Sequence, residues 1–208
     1  MIHTSRLLGG VAVATTLLFG SITSAAAFTA CQVTDTGGID DAGFNQTAWK
    51  GVQDAMDEKG IDGRFLESQA ETDYEANLNS LLGGQCDVII TVGFLMGDAT
   101  KAAAEANPDQ KFSIVDFAYD PAIPNVVGQV FATEQAAFLA GYLAAGMTET
   151  GIIGTFGGIN IPPVTVFMDG YVHGANYYNE THDTDVTVLG WDPEDQEGLF
   201  TNNFESLD

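Results

Sequence analysis

The chain has 208 residues, enough for one large domain or two small ones, and its formal net charge is −23. All 29 acidic residues lie after residue 27, where the only basic residues are Lys50, Lys59, Arg64, Lys101 and Lys111. This charge argues against nucleic acid and anionic membrane surfaces as partners, because both repel an acidic protein. The charges are scattered rather than gathered in one block, which favours a solubility adaptation over an acidic binding face.

The first 27 residues have the pattern of a secretory signal peptide. Arg6 provides a positive charge, residues 7–19 are apolar, and small residues at 24–27 offer a cleavage site. The apolar run is shorter than the roughly 20 residues that cross a membrane, so an uncleaved anchor is the weaker alternative. We therefore expect an exported protein, located in the periplasm or at the outer face of the cytoplasmic membrane.

The segment 31–49 predicts the end of a strand, a polar loop and a helix in succession. An apolar strand over 28–33 leads into a loop with three aspartates, and Phe44 and Asn45 precede an amphipathic helix over 46–58. This junction places carboxylates, an amide and an aromatic ring at the carboxyl end of a strand. In open α/β sheets that end is where ligands bind.

The rest of the chain alternates strands and helices, which predicts an α/β fold class with a parallel sheet covered by helices. The β-branched run at 87–92 is typical of a strand buried on both faces. Further strands are predicted over 64–67, 112–115, 125–131, 152–156 and 186–189, and further helices over 72–82, 99–106, 134–147 and 164–178. The apolar segment 138–147 is short and flanked by polar residues, so we predict a buried core helix there.

We divide the chain into a signal peptide (1–27), an N-terminal α/β lobe (28–132) and a partial C-terminal α/β lobe (133–208). The second lobe contains only two clear strands, and two strands cannot bury a core by themselves. Either another chain completes this lobe, or the sequence is a truncated piece of a longer one.

The two cysteines, Cys31 and Cys86, lie in or beside strands that could be neighbours in the sheet. Export permits a disulfide between them, and a free thiol in the core is the simplest alternative. Another interpretation takes residues 28–31 as a weak lipobox with Cys31 as a lipidated N-terminus. Against it, Phe28 stands where leucine is usual.

Four separated blocks of the sequence carry a resemblance to one family. They are VTDTGGIDDAGFNQTAW (33–49), DVIITVGF (87–94), AAFLAGYLAAGMT (136–148) and GIIGTFGGINIPPVTVFMDGY (151–171). With these blocks the chain resembles the basic membrane protein family of bacterial substrate-binding lipoproteins, which are similar to purine-nucleoside receptors of ABC importers. The resemblance implies a type I periplasmic-binding fold, in which two α/β lobes close on a nucleoside. It also implies an ABC permease as the membrane partner, and we expect a monomer.

The resemblance further implies which residues contact the ligand. Phe44 matches the family's stacking residue under the purine ring, and Asp41 is our first choice for a carboxylate that reaches the ligand. Asn45 can both donate and accept hydrogen bonds at a purine edge. Two of these residues have structural alternatives, since Phe44 can pack on the following helix and Asn45 can cap it.

Four further residues are candidates for the binding site. Asp35 either contacts the ligand or accepts hydrogen bonds from loop amides. Gly93 and Asp116 end later strands on the same side of the sheet, so we expect them in the cleft. Trp191 follows the last predicted strand and either stacks on the ligand or packs in the core.

A calcium-dependent nucleoside hydrolase is the main alternative from another class, because Asp40 and Asp41 match the end of that family's acidic motif. In that alignment Thr34 and Thr36 occupy two positions where calcium needs aspartates. We therefore predict that the protein is not an enzyme. A non-transport nucleoside sensor of the same fold is a further alternative. The histidines show no metal-ligand spacing, and we expect neither a metal nor a cofactor.

Overall fold

A parallel five-stranded sheet is the centre of the computed structural model, which describes residues 27–201. Its strands are β1 (Thr29–Val33), β2 (Asp62–Leu66), β3 (Val88–Val92), β4 (Lys111–Val115) and β5 (Val126–Gln129). Their order across the sheet is β2-β1-β3-β4-β5, and every neighbouring pair is parallel. The carboxyl ends of all five strands therefore lie at one edge of the sheet.

Three helices connect these strands. They are α1 (Phe44–Lys59), α2 (Tyr74–Leu81) and α3 (Gly97–Ala106), and single turns of 3₁₀-helix, Glu71–Asp73 and Phe94–Met96, precede the last two. The helix α1 ends at Gly60, whose left-handed conformation (φ 66°) lets its amide donate to the carbonyl oxygen of Met56. The predicted α/β fold class, a parallel sheet flanked by helices, is confirmed.

The main hydrophobic core lies between one face of this sheet and the helices α2 and α3. It contains Cys31, Ile89, Phe112 and Ile114 from the strands and Leu78 from α2, each at most 2% exposed. Because side chains alternate along a strand, the neighbours of these residues point to the opposite face, where α1 lies. An apolar groove remains on that opposite face beside α1.

The second half of the chain is built on two long helices. They are α4 (Thr133–Met147) and α5 (Pro162–His182), and the strands β6 (Ile152–Gly154) and β7 (Thr187–Leu189) form a parallel pair. A short antiparallel ribbon follows, formed by β8 (Trp191–Asp192) and β9 (Glu197–Gly198), and the sequence did not predict it. The division into lobes at residues 132 and 133 stays a prediction.

Glycines let α4 and α5 approach each other closely. A Cβ atom at Gly141 would overlap the backbone oxygen of Tyr171, and one at Gly174 would overlap the backbone oxygen of Phe138. The two helix backbones are therefore in direct contact, and only glycine fits at these two positions.

The opposite side of α4 faces solvent. Leu139, Leu143 and Met147 recur every four residues on it and are 64–72% exposed. The prediction of a buried core helix at 138–147 is therefore wrong for this side and correct for the side that packs on α5. Periodicity could not reveal the difference, because both sides of this helix are apolar.

Cys31 and Cys86 form a disulfide that ties the middle of β1 to the residues before β3. Cys31 is fully buried, and both its burial and its bond disagree with a lipidated N-terminus at this position. The predicted signal peptide lies outside the described residues except for Ala27. Within residues 27–201, no helix combines the length and the apolar character that crossing a bilayer requires.

Candidate functional site

The candidate site lies at the carboxyl edge of the five-stranded sheet. The loop from Asp35 to Gly43 follows β1, while Gly93 and Asp116 follow β3 and β4. Gly93 has a φ of 100°, and a Cβ atom there would lie 2.7 Å from Oδ2 of Asp35. The fold thus brings Asp35 against the end of β3, where only glycine leaves enough room.

The carboxylate of Asp41 is hydrogen-bonded to backbone amides at the start of α1. Its carboxylate accepts hydrogen bonds from the backbone amides of Gly43 (2.9 Å), Asn45 (2.9 Å) and Gln46 (3.0 Å). Partial burial acts to raise the pKa of Asp41, but these amides and the Asn45 side chain outweigh it and hold the pKa below its ordinary value. The contacts support a capping role, and the ligand contact that we expected from Asp41 stays a prediction.

Asn45 holds the two neighbouring carboxylates together. Its Nδ2 atom donates to Oδ1 of Asp35 (2.7 Å) and to Oδ2 of Asp41 (3.2 Å). Because carboxylate oxygens only accept, the amide nitrogen rather than the amide oxygen must face them. Its backbone oxygen accepts from Nε2 of Gln32 (2.9 Å). Asn45 is 1% exposed and lies within α1, so Asp41 rather than Asn45 caps the helix. Its Oδ1 atom is buried without a hydrogen-bond partner in the described part of the chain.

Asp35 shows one of the two roles that the sequence left open, and its contact with the ligand stays a prediction. Oδ1 accepts hydrogen bonds from the Gly37 amide (3.0 Å) and from Asn45, as a loop-stabilising carboxylate does. Oδ2 has no hydrogen bond within residues 27–201 and faces Gly93. The buried hydroxyl of Tyr74 lies nearby, and burial, followed by the Asp35 charge, raises its pKa. Thr36 lies beside that hydroxyl, yet no partner among the described residues satisfies hydrogen-bond geometry.

Asp116 is the second carboxylate at this edge. Its backbone has a φ of 64°, which is uncommon for a residue other than glycine, and its amide donates to the Gln129 carbonyl oxygen (2.8 Å). The side chain is half-buried, and burial raises its pKa above the ordinary value. With Oδ2 of Asp35, it provides a hydrogen-bond acceptor at a strand end.

Phe44 presents its ring to the open groove. It is 47% exposed although it is the first residue of α1, so packing on its own helix does not bury it. Phe131 and Phe167 line the same groove. Sequence reasoning missed these two aromatic residues, because one follows a strand and the other lies inside a helix far along the chain.

Trp191 lies in the core of the second half of the chain. It is 5% exposed and packs with Met168, Val172 and Phe200. Its indole Nε1 donates to Oδ1 of Asp169 (2.8 Å). Core packing, one of the two roles expected from the sequence, accounts for this position. A stacking contact between Trp191 and the ligand stays a prediction.

The described residues contain no group of three or more histidine, cysteine or acidic side chains placed to hold a metal ion. Thr34, which takes an aspartate position in the hydrolase alignment, is fully buried. Its hydroxyl donates to the backbone oxygen of Asp35 (2.8 Å). Thr34 is therefore a buried residue that stabilises the start of the loop through this hydrogen bond.

A family model described as Bmp, ABC transporter substrate-binding protein PnrA-like, matches residues 28–198. Among curated relatives, the ABC transporter nucleoside-binding protein BmpA of Lactococcus lactis is 37% identical over 162 residues. Basic membrane protein A of Borreliella burgdorferi is 38% identical over 156 residues. These matches cover 76% and 74% of this chain and 46% of each relative, so the chain spans about half of their length.

Solved structures place the fold in the same group of proteins. The ABC transporter solute-binding protein from Aeropyrum pernix superposes with a TM-score of 0.72 at 30% identity. The superposition covers 77% of this chain and 46% of that protein. It supports the type I periplasmic-binding architecture that the sequence blocks implied. The chain therefore belongs to the Bmp family of PnrA-like ABC transporter substrate-binding proteins.

Proposed function

We propose that the protein captures a nucleoside, with purines preferred, outside the cell and delivers it to an ABC permease. The observation that carries this proposal is the exposed ring of Phe44 next to Asn45, whose amide donates to Asp35 at a strand edge that also bears Asp116. Family membership and the name of the Lactococcus lactis relative support the same ligand class. Since the chain spans about half the length of its relatives, the activity of a whole transporter component is itself part of the proposal.

The chemistry of the edge fits a nucleoside. A flat base is held by an aromatic face, and Phe44 offers one that is not covered by its own helix. Oδ2 of Asp35 and the carboxylate of Asp116 are acceptors, which suit the hydroxyl groups of a ribose and the N–H groups of a base. Capture proceeds by closure of the two predicted lobes, 28–132 and 133–208, around the ligand.

The hydrogen bonds of the three aspartates change which of them we expect to contact the ligand. Asp41 already accepts three backbone amides, and a ligand would have to displace them to reach its oxygens. Asp35 and Asp116 have oxygens without such partners among the described residues. We therefore assign the ligand hydrogen bonds to Asp35 and Asp116, with Gly93 leaving room for Asp35 and Asn45 holding its other oxygen.

Calorimetric titration of this chain with inosine, guanosine and adenosine tests the proposal, with ribose and free adenine as controls. The expected result is saturable heat with at least one nucleoside and weaker binding of ribose alone and of adenine alone. Absence of heat with all three nucleosides would contradict the ligand assignment. Release of free base from the nucleoside with calcium present, measured by chromatography, would contradict the binding-protein assignment and support a hydrolase.

A further inference from the structure

A guanidinium group lies directly on the Cys31–Cys86 disulfide. Nε of Arg64 is 3.3 Å from Sγ of Cys31, and Nη2 is 3.4 Å from Sγ of Cys86. The same Nη2 donates to the backbone oxygen of Gln85 (2.9 Å) and to its Oε1 atom (3.0 Å). Gln85 therefore anchors the guanidinium group over both sulfur atoms.

The positive charge of Arg64 is not neutralised by a carboxylate of the described residues. The ion pairs between residues 27 and 201 are Lys50–Asp54 and Lys59–Glu58, and Arg64 takes part in neither. Asp87, the acidic residue next to Cys86, accepts a hydrogen bond from the Thr29 amide (2.7 Å). The disulfide therefore lies beside a cation without an ion pair in a protein that is otherwise strongly acidic.

This arrangement favours the reduced form of the pair. A disulfide sulfur is neutral and a weak hydrogen-bond acceptor, so Arg64 gains little from the oxidised state. A thiolate carries a full negative charge, and a neighbouring arginine stabilises it strongly. The sulfur that leaves during thiol–disulfide exchange departs as a thiolate, and an exchange step is faster when that thiolate is stable.

A cavity lies beside one of the two cysteines. It has a volume of about 560 Å³, is lined by Cys86, Gly84, Asn107 and Lys111 among others, and lies at the amino-terminal edge of the sheet. Cys86 is 5% exposed, whereas Cys31 is fully buried in β1. A small thiol entering this cavity meets Cys86 first and leaves Cys31, beside Nε of Arg64, as the departing group.

We propose that the Cys31–Cys86 pair is a site of thiol–disulfide exchange with dithiol reductants, made reducible by Arg64. A thiolate of the reductant attacks Sγ of Cys86, the bond between the two cysteines breaks, and Cys31 leaves as a thiolate. The second thiol of the reductant then attacks the mixed disulfide and releases Cys86. Two electrons pass from the reductant to the protein, and the reductant becomes a disulfide. One of its two protons ends on Cys86, and the other passes to the solvent while Cys31 stays a thiolate beside Nε of Arg64.

Redox equilibration of the native chain with dithiothreitol tests the proposal, with the reduced fraction trapped by alkylation and read by mass spectrometry. Arg64→Gln removes the charge at the sulfurs and is expected to make reduction about tenfold less favourable, a shift of about 30 mV for this two-electron couple. Lys111→Gln is the matched control, because it removes one positive charge at the same cavity without contacting either sulfur. We expect its equilibrium constant to stay within about twofold of the wild-type value.

Two further measurements keep the test decisive if Arg64→Gln folds poorly. Arg64→Lys retains the charge and is expected to keep most of the wild-type reducibility. The wild-type disulfide is expected to be reduced by dithiothreitol while the protein stays folded. An equilibrium constant that Arg64→Gln leaves unchanged would overturn the proposal. So would a wild-type disulfide that dithiothreitol reduces only after the protein has unfolded.

Discussion

Asn45 is the residue around which the candidate site is organised. Its amide group bridges Asp35 and Asp41, and its backbone oxygen accepts from Gln32, so one residue fixes the positions of three polar side chains. One consequence is that Asp41 accepts hydrogen bonds from α1, while Oδ2 of Asp35 has no hydrogen bond within residues 27–201. The sequence alone could name all three residues as candidates but could not decide which carboxylate would accept hydrogen bonds from the backbone amides of α1.

Replacing Phe44 tests the stacking surface. Phe44→Ala is expected to weaken binding of the preferred nucleoside by about 1–3 kcal/mol, the range for loss of one aromatic stacking contact on a base. Phe65→Ala is the control, because Phe65 is an exposed ring that packs on Trp49 (ring centroids 5.0 Å apart) rather than in the groove. Calorimetric titration measures the nucleoside affinity of both variants. Equal affinities for Phe44→Ala and the wild-type protein would mean that Phe44 has no role in binding.

Replacing Asp41 tests its capping role. Asp41→Ala is expected to lower the free energy of unfolding by about 1–2 kcal/mol at pH 7, because it leaves the first amides of α1 without an acceptor. Since folding lowers the pKa of Asp41, its contribution is fully present above the unfolded value of 3.8 and is lost as the pH falls through the lower folded value. Urea denaturation at pH 7 and at a pH of about 2.5 measures the difference in the free energy of unfolding between the wild-type protein and Asp41→Ala. A difference that does not shrink in acid would contradict this role.

At the scale of elements, sequence patterns located nearly every strand and helix of the sheet region. The prediction placed the start of the first helix at residue 46, and α1 begins at Phe44 because Asp41 accepts amides from its first turn. The predicted helix at 164–178 runs from Pro162 to His182 in the structure. A proline fits the first turn of a helix, and Asp183 ends α5 in the left-handed conformation (φ 51°). End positions depend on such single contacts, whereas the body of an element follows from periodicity.

The close contact between α4 and α5 predicts that replacing a glycine at this contact destabilises the protein. Gly174→Ala is expected to destabilise the protein by about 1–3 kcal/mol, because its Cβ would overlap the backbone of α4. Gly51→Ala is the matched control, since Gly51 lies inside α1 with nothing within 4 Å of the position that a Cβ atom would take. That substitution is expected to stabilise the protein by about 0.5–1 kcal/mol through helix propensity. Thermal unfolding measures both, and equal effects of the two substitutions would contradict the packing argument.

At the scale of the whole molecule, the apolar surface is unevenly covered. The residues of β1, β3 and β4 that face α2 and α3 are buried, while Val127 on β5 is 64% exposed and Ile152 and Leu189 on β6 and β7 are 53% and 54% exposed. The leucines and the methionine on the outer side of α4 are exposed as well. Hydrophobic runs in the sequence predicted the strands correctly, but the runs carry no information on which face another element covers.

The sequence by itself determined the alternation of strands and helices, the parallel α/β class, the strand–loop–helix junction at 31–49 and the family resemblance. These features follow from local periodicity and from short motifs, which need no knowledge of distant contacts. Only the tertiary structure decided that Asp41 caps α1, that Trp191 is buried, that Phe131 and Phe167 share the groove of Phe44, and that Arg64 lies on the disulfide. Most of these outcomes join residues tens of positions apart, and the direction of each side chain is set by the elements packed around it.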